Sequence, residues 1–448
     1  MPVWSNRDLT GWGRVLRSTS QVARPERLAD LSRLVLQGAT PVLVRGNGRS
    51  YGDAALNGGG QVVLTTRLDR MLALDPEAAT VTVEAGVTFG DLVRSLVPHG
   101  FLPAVVPGTG LATVGGGIAN DVHGKNHHLE GSLGQQLAWL DLRTPDGVLH
   151  HLLGDDDSDL FRATLGGVGL TGVIERACLK LRRVPSGAVL VRSERMTGLD
   201  HFLQRLQEEQ DRTPYVVGWI DALASGSQLG RGILELATPS DDGEALPAPP
   251  RVRRVPFDFP GFALNAWSVR LFNELYFRRI PAGGRTDRLP YPKFLFPLDA
   301  LHDWNRIYGR RGFHQFQCVV PFDSAPVALR EMLQTIAASG LGSFLAVLKA
   351  LGSAGRGFLS FPQPGFTLAL DFPDGPRTRP LIDRLEAMAC AHGGRTYLAK
   401  DSTLRPDRLA AMYPHLASYR EVLARIDPQG RMGSDLGRRL GLSGGGIA

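Results

Sequence analysis

Lysine is scarce in this sequence, and its scarcity indicates which residues could do chemistry. Only five of the 50 basic side chains are lysines. Arginine can replace a lysine that serves only as a surface cation, but it cannot supply a compact ammonium that titrates when buried. The lysines are therefore candidate functional residues: Lys125, Lys180, Lys293, Lys349 and Lys400. Lys180, in the alternating run "CLKLRR", is the exception, because this pattern favours a solvent-facing strand position.

Histidines and amides form two further concentrations of polar chemistry. The segment "HGKNHH" brings His123, His127 and His128 close to Lys125. We expect no metal there, since no cysteine or carboxylate completes a ligand set, and the three cysteines are too dispersed to form one. Gln315 and Gln317 lie two residues apart on a predicted strand, so both side chains should share one face.

Three glycine-rich segments are candidates for holding a ligand beside these groups, although a tight turn by itself also needs glycine. They are "RGNGRSYGDAALNGGG", "PGTGLATVGGGIAN" and "GGVGLTGVI". The first lacks the Gly-Lys-Ser/Thr ending of a P-loop and precedes a strand instead of a helix, so it fits neither a P-loop nor a Rossmann turn. Glycine lets backbone approach a ligand closely and offers N–H groups to an anion. Together the segments predict a long anionic cofactor lying across the N-terminal region.

Length and composition indicate a globular protein of two domains, or one domain with a large insertion. The chain has 448 residues, 43% of them hydrophobic, and a formal charge of +6. We see no secretory signal and no apolar run long enough to span a membrane, which predicts a protein of the cytoplasm or the membrane periphery. The mild positive charge suits an anionic ligand or a lipid surface, and no nucleic-acid-binding motif accompanies it.

The periodicity of apolar residues predicts an α+β protein. Strands and turns dominate as far as residue 183, and helices alternate with strands from residue 198 to residue 392. A Pro-, Asp- and Arg-rich stretch suggests a mobile loop near residues 238–290. The following aromatic segment "FDFPGFALNAWSVRLFNELYFRR" is interpreted as a helix that buries its aromatic side chains, in preference to a lipid-facing surface.

At this point the motifs resemble a known family. "RGNGRSYGD", "PGTGLATVGGGIANDVHGKNHH", "TLGGVGLTGVIERA" and "TYLAKDS" are similar, in order and spacing, to the vanillyl-alcohol-oxidase type of FAD-dependent oxidoreductase. Within that type the likeness is greatest to oxidases of polyprenyl-phosphorylated ribose, and it covers nearly the whole chain. The resemblance implies an FAD-binding domain in two parts, residues 1–185 and 395–448, with an inserted substrate-binding domain at residues 186–394 built on an antiparallel sheet with helices.

The resemblance also assigns the cofactor site. The loop Gly46–Gly52 would hold the FAD pyrophosphate, and the second and third glycine segments would continue along the dinucleotide. Arg49 stands where related sugar-lactone oxidases carry a histidine bonded to the flavin, so we expect non-covalent FAD. The implied cofactor-binding residues are Gly46, Asn47, Gly48, Arg49, Ser50, Tyr51, Gly52, Pro107, Gly108, Thr109, Val114, Gly115, Gly116, Ala119, Asn120, Val122, His123, Gly124, Gly169, Gly172, Ile174 and Tyr397.

Catalytic and substrate residues follow from the same alignment of motifs. Lys400 matches the lysine beside flavin and substrate, and Lys349 matches a second pocket lysine. The other implied catalytic residues are Tyr51, His123 and Gln315. The implied substrate contacts are Trp219, Gln317, Thr367 and Lys125.

The sequence departs from the family pattern at several positions on the substrate side. Ala369 replaces a cysteine, Thr367 replaces an asparagine, and Leu295 with Phe296 replaces Tyr-His. Val168 stands where the flavin loop usually has asparagine. These changes leave open whether the sugar or the lipid differs from that of the family.

The resemblance implies oxidation of the 2′-hydroxyl of a polyprenyl-phosphorylated ribose to a ketone. A separate short-chain NAD(P)H-dependent reductase would then complete an epimerisation to arabinose, a precursor of cell-wall arabinan. Such a lipid-linked substrate implies peripheral membrane contact. The alternatives are an oxidase or dehydrogenase of free sugars, alditols or aldonolactones, and a flavin-binding protein without turnover.

Overall fold

The computed structural model describes residues 3–36, 40–241, 253–342 and 344–442. Within these ranges the strands form three sheets and one short strand pair. Helices and strands are mixed along the chain in the way that the sequence predicts for an α+β protein. The elements are numbered here in chain order.

The first sheet contains the opening glycine loop. Its strands are β1 (Ser5–Thr10), β2 (Arg17–Ala23), β3 (Val42–Arg45) and β4 (Gln61–Leu64). They lie in the order β1-β2-β4-β3, with β3 and β4 parallel. A parallel pair needs a crossover connection, and the fifteen residues from Gly46 to Gly60 form it. The glycine loop therefore lies between two strands, as the sequence predicts.

The second sheet is antiparallel and completes the N-terminal region. Its strands are β5 (Met71–Asp75), β6 (Thr80–Glu84), β7 (Phe101–Pro103), β8 (Leu137–Arg143), β9 (Leu149–Leu153) and β10 (Val173–Arg183). The predicted hairpin is present, with β8 paired to β9 and Gly147 at a φ of 94° in its turn.

The third sheet is antiparallel throughout its described pairs. Its strands are β11 (Ala188–Met196), β12 (Tyr215–Ile220), β13 (Gly232–Pro239), β15 (Arg285–Pro290), β17 (Phe313–Val320), β18 (Ala346–Leu351), β19 (Gly365–Pro373) and β20 (Arg395–Thr396). Their order is β15-β11-β13-β12-β18-β19-β17-β20. Strands β14 (Arg253–Arg254) and β16 (Leu301–His302) pair separately.

The helices flank these sheets and bury one face each. They are α1 (Leu28–Leu36), α2 (Phe89–Leu96), α3 (Val114–Ala119), α4 (His127–Glu130), α5 (Asp159–Thr164), α6 (Leu199–Glu209), α7 (Ala266–Arg278), α8 (Tyr291–Leu295), α9 (Ala325–Ser339), α10 (Thr378–Ala391), α11 (Pro406–Met412), α12 (Leu416–Ile426) and α13 (Asp435–Leu440). Helices α6, α9 and α10 pack on the third sheet in one core with its inward-facing residues. No helix in the described ranges combines the length and apolarity that crossing a membrane requires.

Two predictions for residues 238–290 need correction. This stretch is not one continuous loop, because it contains α7 and β15; residues 242–252 lie outside the described ranges. The aromatic segment does form a helix, but the interpretation that it buries its aromatic face is wrong. Trp267 is 82% exposed, and Phe262 is 79% exposed.

The C-terminal residues return to the glycine loop. The backbone N–H of Tyr51 donates to the carbonyl of Ala399, and that of Asp435 donates to Leu56. Strand β20, however, pairs with β17 of the third sheet. The C-terminal segment therefore contacts both predicted domains, and the domain boundaries themselves stay predictions.

Candidate active site

One large cavity of about 630 Å³ lies between the glycine segments and the third sheet. Strands β12, β17, β18 and β19 contribute side chains to it from one side, and the C-terminal turn contributes Lys400. The predicted site residues that line it are Gly46, Asn47, Gly48, Arg49, Ser50, Tyr51, Pro107, Gly108, Thr109, Gly115, Gly116, Ala119, Asn120, Val122, His123, Gly124, Lys125, Gly169, Gly172, Ile174, Trp219, Gln315, Gln317, Lys349, Thr367, Tyr397 and Lys400.

Gly52 and Val114 are the two predicted site residues that do not line this cavity. Gly52 packs against the C-terminal turn, where a Cβ would lie 1.9 Å from the carbonyl oxygen of Asp401. Val114 is fully buried in the core of the second sheet, and its N–H donates to Val87. Both residues therefore support the wall of the cavity without lining it.

The glycine loop has a backbone conformation that only glycine adopts easily. Gly48 has a φ of 61°, and a side chain there would also collide with the guanidinium of Arg45. Arg49 holds its guanidinium over the ring of Trp12, with Cζ 4.2 Å from the ring centroid. Burial lowers the pKa of Arg49, and Asp299 opposes that shift. The loop thus presents backbone and a cation to the cavity.

The residues present fit FAD, by two observations. At Gly108, which lines the cavity, a Cβ would meet nothing within 4 Å, and the backbone is not left-handed there, so neither protein packing nor backbone strain explains this glycine. Arg49 Nε, Asn120 Oδ1 and His123 Nδ1 are buried without a hydrogen-bond partner in the described part of the chain. Buried polar atoms normally have partners, and a long polar cofactor lying along this wall would supply them.

The imidazole of His123 is neutral, and its Nδ1 has no hydrogen-bond partner within the described part of the chain. Gln317 Nε2 lies 3.2 Å from His123 Nε2, and an amide that donates there leaves the ring proton on Nδ1. Burial, together with Lys349, lowers the pKa of His123 well below its usual range. The ring contacts both Tyr397 and Phe361, with centroids 5.4 and 5.5 Å away, and these two rings stack on each other.

Three of the five lysines meet at the cavity. Lys400 Nζ lies 3.8 Å from the centroid of the Tyr51 ring, and Lys349 Nζ donates to the carbonyl of Gly124 at 3.3 Å. Lys125 Nζ lies 3.9 Å from the centroid of Phe294. The other two lysines, Lys180 and Lys293, are exposed, which confirms the expectation for Lys180.

Burial lowers the pKa of each of these three lysines. The pKa falls to about 8 for Lys125 and Lys400, and to about 7 for Lys349, where Lys125 and Lys400 add repulsion. A buried ammonium loses hydration, so its neutral form gains relative stability. The cluster can therefore bind an anion, and its amines can exchange protons near neutral pH.

Asp371 is a buried carboxyl that the sequence reasoning missed. Gln315 Nε2 donates to it at 2.5 Å, and Tyr308 Oη donates to it at 3.1 Å. Burial raises the pKa of Asp371 to about 7, and Lys400 is among the groups that oppose the rise. A carboxyl within the apolar run "GFTLALDFP" was the available signal, because such a group is rarely buried without a role.

Asp121 is a second missed residue. Its carboxylate accepts hydrogen bonds from Ser132, Ser360 and the N–H of Gly134, and its own φ is 41°. It lies two residues before His123, so these bonds fix the turn that carries the histidine.

The substrate-side departures are distributed unevenly. Thr367 and Ala369 face the cavity from β19, and Leu295 lines it from the end of α8. Phe296 does not line it; its ring packs against Gly110, so its expected place on the substrate side is wrong.

Trp219, a predicted substrate contact, is held by a hydrogen bond that its indole Nε1 donates to the carbonyl of Phe344 at 2.8 Å.

Val168 lines the cavity in a conformation that valine rarely adopts. Its φ is 50°, a left-handed value that asparagine or glycine tolerates better than a β-branched residue. Its N–H donates to Ala119 at 2.8 Å, which holds the third glycine segment against the second. The departure from asparagine at this position therefore carries backbone strain beside the cofactor wall.

Comparisons with known proteins agree with this geometry. The family model described as an FAD binding domain matches residues 19–153. Decaprenylphosphoryl-beta-D-ribose oxidase of Mycolicibacterium smegmatis is 34% identical over 98% of both chains. L-gulonolactone oxidase of Mus musculus is 31% identical, but only over 39% of this chain and 38% of its own. Cytokinin dehydrogenase 7 of Oryza sativa is 31% identical over 42% and 37%.

The full-length similarity covers both the cofactor wall and the third sheet, whereas the partial similarities are confined to shorter stretches. FAD is therefore the cofactor of this enzyme. The chain belongs to the FAD-dependent oxidoreductases of the vanillyl-alcohol-oxidase type, in the family of decaprenylphosphoryl-β-D-ribose oxidase.

Proposed function

We propose that this enzyme oxidises the 2′-hydroxyl of a polyprenyl-phosphorylated ribose to the 2′-keto sugar. The observation that carries the proposal is the convergence of Lys125, Lys349 and Lys400 with Gln315 and Gln317 on one cavity. Three buried amines suit an anionic phosphate ester, and the glutamine amides suit sugar hydroxyls. The full-length similarity to an oxidase of that name supports the same substrate class.

The proposed chemistry separates hydride removal from proton removal. Bound FAD would supply the acceptor for the hydride of the carbinol carbon. The Lys400 amine, with its pKa near 8, accepts the hydroxyl proton or, when protonated, stabilises the alkoxide that develops on the oxygen. Lys349 and Lys125 would hold the phosphate, and Gln315, fixed by Asp371, would orient the sugar. His123, held by Gln317, would face the cofactor.

The partners follow from the substrate. A keto sugar on a lipid carrier needs a reductase to complete the epimerisation to arabinose, and a separate short-chain NAD(P)H-dependent reductase fits that role. A polyprenyl chain resides in a bilayer, so the enzyme would work at the membrane periphery. Non-covalent FAD remains our expectation from Arg49.

The alternative of a free-sugar or aldonolactone oxidase has less support. The similarity to L-gulonolactone oxidase covers only 39% of the chain, and a free sugar carries no anion for three buried lysines to bind.

The test is anaerobic flavin reduction by a short-chain isoprenyl-phosphoryl ribose. We expect the wild-type enzyme to bleach its flavin absorbance, and Lys400→Ala to lower the rate about 10²- to 10⁴-fold while FAD stays bound. Lys180→Ala, which removes an exposed lysine, is the matched control and should react at the wild-type rate. Unchanged reduction in Lys400→Ala would refute its role, and reduction by L-gulonolactone instead would favour the alternative.

A further inference from the structure

An apolar surface lies beside the active-site cavity, and nothing in the proposed reaction uses it. Helix α7 and the segment before it expose large side chains that globular proteins normally bury. The exposed fraction is 82% for Trp267 and 63% for both Leu271 and Leu275. We call this surface the α7 face; its members are Phe257, Phe262, Trp267, Leu271 and Leu275.

Helix α7 is held so that its apolar stripe points outward. Trp267, Leu271 and Leu275 recur every four residues and therefore share one side of the helix. The opposite side buries Val269 and Asn273, and Asn273 Nδ2 donates to Asp221 at 2.7 Å. A polar anchor thus faces the protein while the apolar stripe faces solvent, the reverse of an ordinary surface helix.

The charges around this face are predominantly positive. Residues 253–279 contain five arginines and two acidic residues. Both acidic side chains are paired, Asp258 with Arg14 and Glu274 with Arg231. Three of the arginines are paired as well, Arg254, Arg278 and Arg279, so among the described residues of this stretch the exposed Arg253 is one of two cations left for an outside anion. Arg270, on the helix itself, is exposed and forms no ion pair within the described ranges. Anionic groups would therefore be attracted to the edge of the apolar stripe.

A series of aromatic contacts leads to the cavity from Phe272, which follows Leu271 of the α7 face. Phe272 stacks on Tyr276 at 5.6 Å between ring centroids, and Tyr276 contacts Trp219 at 4.7 Å. Tyr276 and Trp219 both line the cavity, and so does Arg254 from the same segment. A molecule anchored at the α7 face would therefore lie beside the part of the cavity that Tyr276, Trp219 and Arg254 line.

We propose that the α7 face docks the enzyme on an anionic lipid bilayer, with its apolar side chains at the acyl–headgroup boundary and the neighbouring Arg253 and Arg270 on lipid phosphates. An amphipathic helix with aromatic, leucine and arginine residues suits that position. A second copy of the chain is a poorer occupant, because a two-fold contact would bring the same arginines together. The inference rests on the proposed function for its lipid-linked substrate and adds the surface that meets the lipid.

Vesicle sedimentation of the FAD-bound full chain tests the surface. The probes are vesicles of equal parts phosphatidylglycerol and phosphatidylcholine, and vesicles of phosphatidylcholine alone. We expect binding to the anionic vesicles that weakens with salt, and at least tenfold weaker binding by the triple variant Trp267→Ser, Leu271→Ser, Leu275→Ser. The matched control is Leu72→Ser, Leu149→Ser, Leu153→Ser, which changes three exposed leucines elsewhere and should bind within twofold of wild type.

Several results would overturn the docking surface: wild-type protein that stays in the supernatant, equal binding by the two triple variants, or a wild-type dimer that the α7 variant dissociates. If the α7 variant fails to retain FAD, Arg270→Glu replaces it, and unchanged binding by Arg270→Glu is equally fatal.

Flavin reduction separates this inference from the proposed function. The α7 variant should reduce its flavin at the wild-type rate with a water-soluble isoprenyl-phosphoryl ribose, and more slowly with a long-chain substrate in vesicles. Reduction by neither substrate in the wild-type enzyme would refute the function, and the vesicle binding would then decide the docking surface alone.

Discussion

At the scale of single residues, Ala369 has the clearest consequence for inhibition. It lines the cavity from β19, where the family carries a cysteine. The thiol next to it in the sheet, Cys318, is buried on β17, and burial raises its pKa to about 12. The thiolate is the reactive form of cysteine, so this thiol is inert near neutral pH.

We therefore predict that thiol-directed inhibitors of the family form no covalent adduct in this cavity. Intact-protein mass spectrometry after incubation should show the unmodified mass. Ala369→Cys provides the positive control and should gain one adduct. An adduct on the wild-type chain that maps to β19 would contradict the prediction.

The low lysine content of the sequence pointed to residues of the cavity, and the positions of the individual lysines explain why. Lys125, Lys349 and Lys400 come from three separate parts of the sequence, yet all reach the cavity. The protein uses arginine for most exposed cations, so the lysines that remain in the cavity are those whose pKa can shift. The scarcity of lysine gives no information on the distances between the lysine side chains. Only the fold shows that all three amines reach the same cavity.

At the scale of elements, the antiparallel pair of β17 and β19 organises the substrate side of the site. Gln315 is opposite Asp371 in this pair, and Gln317 is opposite Ala369. Side chains of residues directly opposite each other on paired strands project to the same face of the sheet. The pairing therefore places the Asp371 carboxyl next to the Gln315 side chain, where it accepts a hydrogen bond from the amide.

We predict that Asp371→Leu lowers the free energy of unfolding by about 2–4 kcal/mol, because it leaves the buried Gln315 amide without this acceptor. Asp371→Asn keeps an acceptor oxygen of the same shape and should cost less. Urea unfolding of the two variants measures the difference. Equal stability of Asp371→Leu and wild type would contradict the role of this carboxyl.

The same residue predicts a pH dependence. Burial raises the pKa of Asp371 from 3.8 to about 7. Between these values the folded state binds more protons than the unfolded state, so this group's contribution to stability falls as the pH rises from about 4 to about 7. In Asp371→Asn that part of the fall should disappear when unfolding is measured across the pH range.

Helix α7 shows that predicting a helix from sequence does not predict which of its sides is buried. The aromatic segment is interpreted from its sequence as a helix, and a helix is present. Apolar residues normally face a core, and this led to the wrong prediction of buried aromatics. The sequence cannot show that Asn273, bonded to buried Asp221, is the side that faces the protein.

At the scale of the whole molecule, Arg439 joins the end of the chain to its beginning. It donates to Asp53, within the glycine loop, and to Asp401, directly after Lys400. Both carboxylates are buried. One guanidinium therefore fixes the cofactor loop relative to a candidate catalytic lysine.

We predict that Arg439→Met lowers the free energy of unfolding by about 3–5 kcal/mol, since it leaves two buried carboxylates without their partner. FAD should also dissociate more readily, because the loop loses its support. Thermal unfolding and flavin fluorescence in the filtrate measure both effects. Arg425→Met, at an exposed position, is the control and should match wild type.

The sequence by itself determined the α+β class and most helix and strand positions, because these depend on local periodicity. It also indicated the cofactor, through motifs contiguous in the chain that resemble those of a known family. It also named most of the residues that line the cavity, through their place in those motifs.

Only the tertiary structure decided how these residues combine. Gly52 and Val114 support the cradle instead of lining it, Phe296 packs against Gly110, and Asp371 and Asp121 became visible as buried acceptors. Each of these outcomes depends on which strands pair and which helix side meets the core. Such contacts join residues far apart in sequence, and their energies depend on packing that no local pattern encodes.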